Sequence, residues 1–526
     1  MNYIELFAGC GGLSVGLKSA GFDLVMANEL SPMAAETYAF NFFKEDLQSQ
    51  ADLLRPKLKK TLWLSSRYAL ADLKLRLREN PRTYPALGEG ITDVVSDGSN
   101  LKGSLLVGSI VDLNIWLQQR PDVANNLKNG FGHGGIDLVS GGPPCQSFSM
   151  AGLRRQDCEK NSLPWEFVKF AQVVHPKLVV LENVTGILRP FKDEKGNSYY
   201  AWFELAKAFT GIGYVPLCLH VNAKLAGVPQ NRPRFILIGV RKDFFDMLLP
   251  TFNEAEKMLF AQPLDFFNQT KHGEEIDIGA LGYRDVARLA DLDLFKNSFL
   301  RSLVTYRNNF VTVSEAIDDL RECRDIEAEY PVNLLRVFGK VLPKREMKNH
   351  EHRSNGAIVR RRFRLYQILQ QVSNGTHKEV LGVLKGDSSE ISDAIWETMA
   401  RFDYLIESGK FVTFKTKKDF IAFLKRHPTK KQTQKALLAD QPAPAALSIP
   451  DDACHYHHGE LRTLTVREMA RIQSFPDNFE FRSKITTGGQ MRAFEVPQYT
   501  QVGNAVPPLL GRALGLAISD LLKRNI

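Results

Sequence analysis

Three short segments of this chain carry side chains able to do covalent and acid–base chemistry. The first is Gly141-Gly142-Pro143-Pro144-Cys145-Gln146-Ser147-Phe148-Ser149, after the apolar run at 136–140. Two prolines stiffen the loop before Cys145, and small polar residues surround it. A thiolate in so reachable a place could act as a nucleophile, although a lone cysteine is equally at home buried beside a turn. The second is Glu182-Asn183-Val184, after the apolar run at 178–181. A carboxyl group leaving a buried strand is open to desolvation and can keep a proton for general acid work. A strand-end glutamate with no such duty is the plainer alternative. The third is Gln230-Asn231-Arg232-Pro233-Arg234, before the apolar run at 235–240. Arginines at alternate positions suit a carbonyl or phosphate oxygen, or simply a charged surface.

A fourth segment has the makings of a ligand cradle. Phe7-Ala8-Gly9-Cys10-Gly11-Gly12 lies between a short strand at 4–8 and a helical run to Ala20. Gly9, Gly11 and Gly12 let the backbone turn tightly and approach a ligand closely. Glu29 ends the next strand, 20 residues after Gly9, and a carboxylate there can accept from both hydroxyls of a ribose. Turn and carboxylate together point to an adenosine-bearing ligand; a purely structural turn is the alternative.

The elements that must position these groups are legible as an alternation. Apolar runs at 4–8, 24–27, 105–107, 136–140, 178–181 and 235–240 are separated by amphipathic stretches. One of these sets Trp202, Leu205, Phe209 and Ile212 on a single helical face and stops at Gly213. Such alternation predicts an α/β fold, a doubly wound and mostly parallel sheet with helices on both faces, plus a second, smaller domain. Ligands of such sheets bind at the carboxyl ends of the strands, which makes the residues after each apolar run the ones to inspect; the Pro-Cys, Glu182 and glycine segments all lie there. Residues 1–245 are read as the catalytic, cofactor-binding domain, with an insertion at about 44–104. Residues 246–459 are read as a target-recognition domain, and 460–526 as a return segment completing the first domain. Periodicity weakens in the middle region, where basic clusters stand at 360–364 and 415–431; these suit either nucleic acid or solvated helix faces. The Pro/Ala-rich stretch 441–450 reads as a linker. Thr465 and Glu468 form a capping-box pattern opening a helix through Phe475, and a last helix follows Pro507-Pro508.

Composition narrows the class. A 526-residue chain with a net charge of +9 and 44% hydrophobic residues is an ordinary globular protein with a bias toward polyanionic partners. Its six cysteines include no C-x-x-C pair, which excludes a disulfide scaffold and fits a reducing setting. No apolar stretch is long enough to span a bilayer, and the first residues enter a strand without a basic leader. A cytoplasmic protein with no membrane partner is therefore expected. The run Cys454-His455-Tyr456-His457-His458 invites a metal reading, but no second ligand pair accompanies it, so no metal is predicted. An edge of the recognition domain, or a phosphate contact, suits it better.

Taken in order, these segments resemble the motifs of the DNA (cytosine-5) methyltransferase family of bacterial restriction–modification systems. FAGCGG at 7–12 resembles its cofactor loop, GGPPCQSFS at 141–149 its Pro-Cys loop, ENV at 182–184 its acid motif and QNRPR at 230–234 its paired-arginine motif. RTLTVREMARIQSFP at 462–476 resembles the late motif beside the recognition domain, and YTQVGNAVPP at 499–508 the closing motif. The resemblance covers 1–43, 105–245 and 460–526. It implies S-adenosylmethionine as cofactor, lined by Phe7, Gly9, Gly11, Gly12, Glu29 and Asn504. It implies Cys145 as the nucleophile that adds to carbon 6 of a flipped cytosine. Glu182 would hold ring nitrogen 3, Arg234 the carbonyl at position 2, and Arg232 a loop or phosphate. One departure stands out: where the family has Gly-Asp-Ile, this chain has Gly108-Ser109-Ile110. Ser109 can accept a hydrogen bond from adenine more weakly, Ile110 can pack on it, and Asp112 could substitute. Double-stranded DNA is the implied partner, with a restriction endonuclease of the same specificity as a functional pair. An RNA cytosine-5 methyltransferase of the same fold and a non-catalytic DNA-binding relative are the rival readings.

Overall fold

The computed structural model describes residues 1–144, 162–192, 198–273, 276–322, 328–339, 347–429, 435–445 and 447–524. Cys145, and with it the remainder of the Pro-Cys loop, lies outside the described residues.

Nine strands form the main sheet: β1 (Asn2–Leu6), β2 (Asp23–Glu29), β3 (Thr61–Trp63), β4 (Ser104–Val107), β5 (Leu138–Gly141), β6 (Leu178–Val184), β7 (Tyr214–Asn222), β8 (Pro233–Arg241) and β9 (Arg284–Asp285). Their order is β9-β7-β8-β6-β5-β1-β2-β4-β3. All pairings are parallel except those of β8, which runs antiparallel to both β6 and β7. The expected doubly wound, mostly parallel sheet is thus present. Its central strands are buried on both faces, as near-continuous apolar runs require. β1 has β2 on one side and β5 on the other, so the chain reverses direction of winding there. That is the switch point at which such sheets open a crevice beyond their carboxyl ends.

One face of the sheet is covered by the helices Gly12–Ser19 and Pro508–Leu522, which cross closely. A Cβ on Gly16 would stand 2.3–2.5 Å from the backbone of Arg512, Gly511 and Pro508, so only glycine permits the crossing. The other face buries Phe167, Phe170, Trp202, Leu205 and Phe209 against Val179, Leu181 and Phe235. The predicted helix is present as Ala201–Gly211.

Packing divides the chain differently from the boundary expected at 246. The helix Glu254–Lys271 packs on β7, β9 joins the main sheet, and Leu300 and Leu303 share a core with Leu510 and Leu514. These residues carry large apolar side chains that are buried only against the sheet; their weak periodicity hid this. The 44–104 insertion is built into the sheet domain. It supplies β3 to the sheet edge and buries Trp63, Leu73 and Leu77 with Tyr38 and Val107. The unit with a core of its own is a helical one. It is built from Ala357–Leu369, Asn374–Lys385, Asp393–Met399 and Lys417–Lys425 around Phe363, Tyr404, Phe420 and Phe423. The Pro/Ala-rich stretch is also not a free linker, because Ala443–Pro444 pairs in parallel with Gln230–Asn231. Thr465 and Glu468 do form a capping box, on a helix that spans Val466–Ile472 and ends before Phe475. Among the described residues no single helix is long and apolar enough to cross a membrane.

Candidate active site

The register of β6 and β8 brings the acid and the second arginine together. Glu182 stands opposite Ile236, and Arg234 opposite Val184. Glu182 and Arg234 are therefore diagonal neighbours on one face, a separation that a long side chain can close. Arg234 Nε lies 2.6 Å from Glu182 Oε1, and both groups are about nine-tenths buried. The sheet then delivers the start of the Pro-Cys loop to the same spot. A Cβ on Gly142 would come within 2.9 Å of Glu182 Oε2, so glycine is what lets the loop pass over the carboxylate. Asn183 Nδ2 donates to the carbonyl of Pro143 at 3.1 Å and pins the loop two residues before Cys145. Asn183 was named in the segment 182–184 but given no role; its place directly after Glu182 was the available signal.

Arg232 behaves unlike Arg234. Its fully buried guanidinium donates to the carbonyls of Gly503 at 2.8 Å, Ala505 at 3.2 Å and Ala445 at 3.3 Å. Burial, with Arg234 nearby, pushes its pKa well below the usual arginine range. Such a group ties the chain just before β8 to the closing motif. Of the two roles expected for Arg232, a loop or a phosphate, these contacts match the loop, and they set it apart from the catalytic grouping as a positioning residue: both terminal nitrogens donate to backbone carbonyls of Ala445 and of the closing motif.

On the far side of β5 and β1 the glycine turn leaves the end of β1. Phe7, Gly9 and Gly11 all have positive φ, at 54°, 55° and 95°. Gly9 N–H donates to Glu29 Oε2 and Ser31 N–H to Glu29 Oε1, both at 2.8 Å, so the carboxylate sets the shape of the turn. Burial raises the Glu29 pKa, opposed by these backbone donors. Beyond Gly9 a Cβ would meet nothing within 4 Å, whereas at Gly12 it would strike the carbonyl of Val506 at 2.3 Å. The turn is thus open on one side and backed by the closing motif on the other. Cys10 Sγ donates to the carbonyl of Gln501, and Asn504 is exposed at the end of the helix Gln498–Asn504. Beneath the turn lies a buried network that sequence reading missed: Ser14 Oγ contacts the carboxylate of Glu5 and the hydroxyls of Tyr3 and Tyr38.

At the end of β4, Ser109 caps the helix Ile110–Gln119 by accepting from Val111 N–H. Ile110 is buried with Leu106 and Leu113. Burial raises the pKa of Asp112 in the first turn of that helix.

The cluster at 454–458 resolves differently for each residue. Cys454 and His455 are fully buried, with burial taking the imidazole down to about 4. Glu468, 3.7 Å from it, is raised by burial but brought to about 2 by the two hydrogen bonds of Arg462 and the neighbouring charges. His458 stacks on Phe411 and bonds Asp403. These contacts are internal to the protein, and His455 in particular has no route to a phosphate.

The arrangement is a carboxylate–guanidinium pair and the root of a cysteine loop at one end of a crevice, with a glycine turn and a carboxylate at the other. Comparison with known proteins agrees. The C-5 cytosine-specific DNA methylase family matches residues 1–60 and 117–520. The type II methyltransferase M.DdeI of Desulfomicrobium norvegicum is 26% identical over 99% of this chain and 88% of its own length. M.AgeI of Thalassovita gelatinovora is 24% identical over 98% of this chain and 99% of its own. M.XorII of Xanthomonas oryzae pv. oryzae is 25% identical over 99% and 85%. The chain belongs to the C-5 cytosine-specific DNA methylases and is a DNA cytosine-5 methyltransferase.

Proposed function

We propose that the methyl donor is S-adenosylmethionine, bound at the glycine turn, and that Cys145 attacks the target cytosine. The observation that carries this reading is the buried Glu182–Arg234 pair over Gly142, beside the loop that leads to Cys145. The donor fits the chain: Gly9 opens onto free space, and each Glu29 oxygen keeps a lone pair for a ribose hydroxyl. In this reading Phe7, Gly11, Gly12, Ile110 and Asn504 line the donor, and Ser109 meets its adenine. When bound, the donor supplies an electrophilic methyl on a sulfonium.

The chain's own residues do the rest. Cys145 thiolate adds to carbon 6 of a cytosine flipped out of the duplex, forming an S–C bond and pushing electron density to carbon 5. Glu182 holds ring nitrogen 3 and Arg234 the carbonyl at position 2, so the charge that develops on the ring is met by fixed partners. Once carbon 5 is methylated, loss of its proton returns the electron pair, and the C–S bond breaks to free Cys145. Arg232 keeps the closing motif in register with β8.

The substrate in this reading is double-stranded DNA, read by the helical unit at about 356–436 within the middle region. The protein acts in the cytoplasm as the modification partner of a restriction endonuclease. Radiolabelled methyl transfer tests it: label should appear at carbon 5 of cytosine in duplex DNA with S-adenosylmethionine as donor. Label confined to transfer RNA, or no transfer from that donor, would overturn it.

A further inference from the structure

The stretch 61–116 falls outside the family match, yet its chain runs to the carboxyl edge of the sheet. Leu64 N–H donates to the carbonyl of Val107, which continues the β3–β4 ladder to the edge, and the Leu64 side chain lies against Gly108. Ser65 then holds the carbonyl of Pro85 at 2.9 Å. This brings the turn at 80–87 back over the ends of β2 and β4. Its two arms are tied on either side of the crevice. Tyr84 Oη donates to the carbonyl of Leu30, the residue after Glu29, at 3.3 Å. Arg82 Nη2 donates to the carbonyl of Ala493, at 2.5 Å, in the stretch that leads into the helix Gln498–Asn504. Leu87 packs on the core that holds Ile110 and Leu64.

We infer that this turn is a strap forming the outer wall of the adenine end of the methyl donor's site, with the Tyr84 ring as its contact surface. The inference rests on the proposed placement of S-adenosylmethionine at Phe7–Glu29. Three observations support it. Ser109, which stands where the family has a carboxylate, uses its side chain to cap a helix. The residue after Glu29 is a leucine, 41% exposed, so an apolar surface stays open beside the turn for a ligand to cover. Tyr84 is partly buried beside Glu79 and Glu29, with its hydroxyl fixed on the carbonyl of Leu30. A rigid aromatic face with two side-chain torsions is well suited to pack on a purine at small entropic cost.

Two measurements on the full chain test this. In hydrogen exchange, S-adenosylhomocysteine should slow exchange at 80–90 as well as at 7–12. Protection at 7–12 with none at 80–90 would overturn the strap. Protection at neither would refute the underlying cofactor site. In calorimetric titration, Tyr84→Ala should weaken S-adenosylhomocysteine by about 5–10-fold, the worth of one aromatic contact. Tyr84→Phe, which keeps the ring, should stay within about threefold under the same rule. Glu29→Ala is the control for the site itself. If Glu29→Ala weakens binding and Tyr84→Ala does not, the strap is no part of the pocket. If Glu29→Ala leaves affinity unchanged, the cofactor placement fails.

Discussion

The sheet's carboxyl edge and the helical unit at 356–436 both carry arginines, and they set them in different surroundings. At the edge, Arg234 meets a carboxylate in a crevice that backbone glycines keep open. In the helical unit, Arg364 is turned inward to Asp403, its Nε donating to the backbone carbonyl at 3.0 Å. Arg361 is tied to His427. Of the cluster at 360–364 only Arg360 is exposed, while Lys418 and Lys425 stand outward on the helix Lys417–Lys425. A run of basic residues therefore does not announce a polyanion contact. Both Arg234 and Arg364 meet a carboxylate of the chain, and what separates them is what the pair lies beside: Gly142 and the root of the Pro-Cys loop for Arg234, the core of the helical unit for Arg364.

The largest effect expected from this contrast is at the sheet edge. Glu182→Gln keeps the shape but removes the acid, and turnover should fall by about 10²-fold or more. Duplex binding should change far less. A variant that turns over within threefold of the original would reduce Glu182 to a structural partner of Arg234.

In the helical unit the corresponding change should cost stability instead. Arg364→Ala strands the Asp403 carbonyl and should lower unfolding free energy by about 1–3 kcal/mol. Urea titration would read it. An unaltered midpoint together with weakened DNA binding would reverse the contrast and make Arg364 a contact residue.

A smaller effect is expected from the outward lysines. Lys418→Gln with Lys425→Gln should weaken duplex binding and flatten its salt dependence by about 1 logarithmic unit for each phosphate that is no longer neutralised. Cofactor affinity should not move. If the slope is unchanged, the helix Lys417–Lys425 faces away from DNA.

A pH effect is expected beneath the glycine turn. Burial, with Glu29 adding to it and the Ser14 hydrogen bond opposing, raises Glu5 to about 8 from an ordinary 4.5. The folded protein thus keeps a proton that the unfolded chain releases. The stability this contributes is complete below 4.5 and is lost as pH rises through about 8. Glu5→Gln should flatten that part of the decline in a urea midpoint measured from pH 5 to 9. An equal decline in both proteins would show that Glu5 does not titrate in this range.

Much of the sheet edge was legible from sequence because local signals coincide there. Buried parallel strands read as apolar runs, and the chemistry sits directly after them, at Glu29, Gly141 and Glu182. The strand Tyr214–Asn222 went unread because Pro216, Cys218 and His220 break its apolar pattern. The remaining misreadings involve partners far away in sequence. Ala443–Pro444 looked like a linker because its strand partner lies more than 200 residues earlier, at Gln230–Asn231. Arg232 was left between a loop and a phosphate, and the cluster holding Arg364 between nucleic acid and a solvated helix face, because sequence says nothing about which way a side chain turns. Tyr84 left no signal at all: a tyrosine in a turn gains its meaning only when β3 carries that turn back over Leu30.

The central claim is that Cys145 forms a covalent bond to the cytosine ring. Duplex DNA carrying 5-fluorocytosine tests it most directly, because the fluorine cannot leave as a proton does and the adduct cannot resolve. With S-adenosylmethionine present, the unaltered chain should form a complex that survives a denaturing gel, and Cys145→Ser should form none. A trapped complex with Cys145→Ser, or an untrapped protein that still methylates ordinary duplex DNA, would contradict the account.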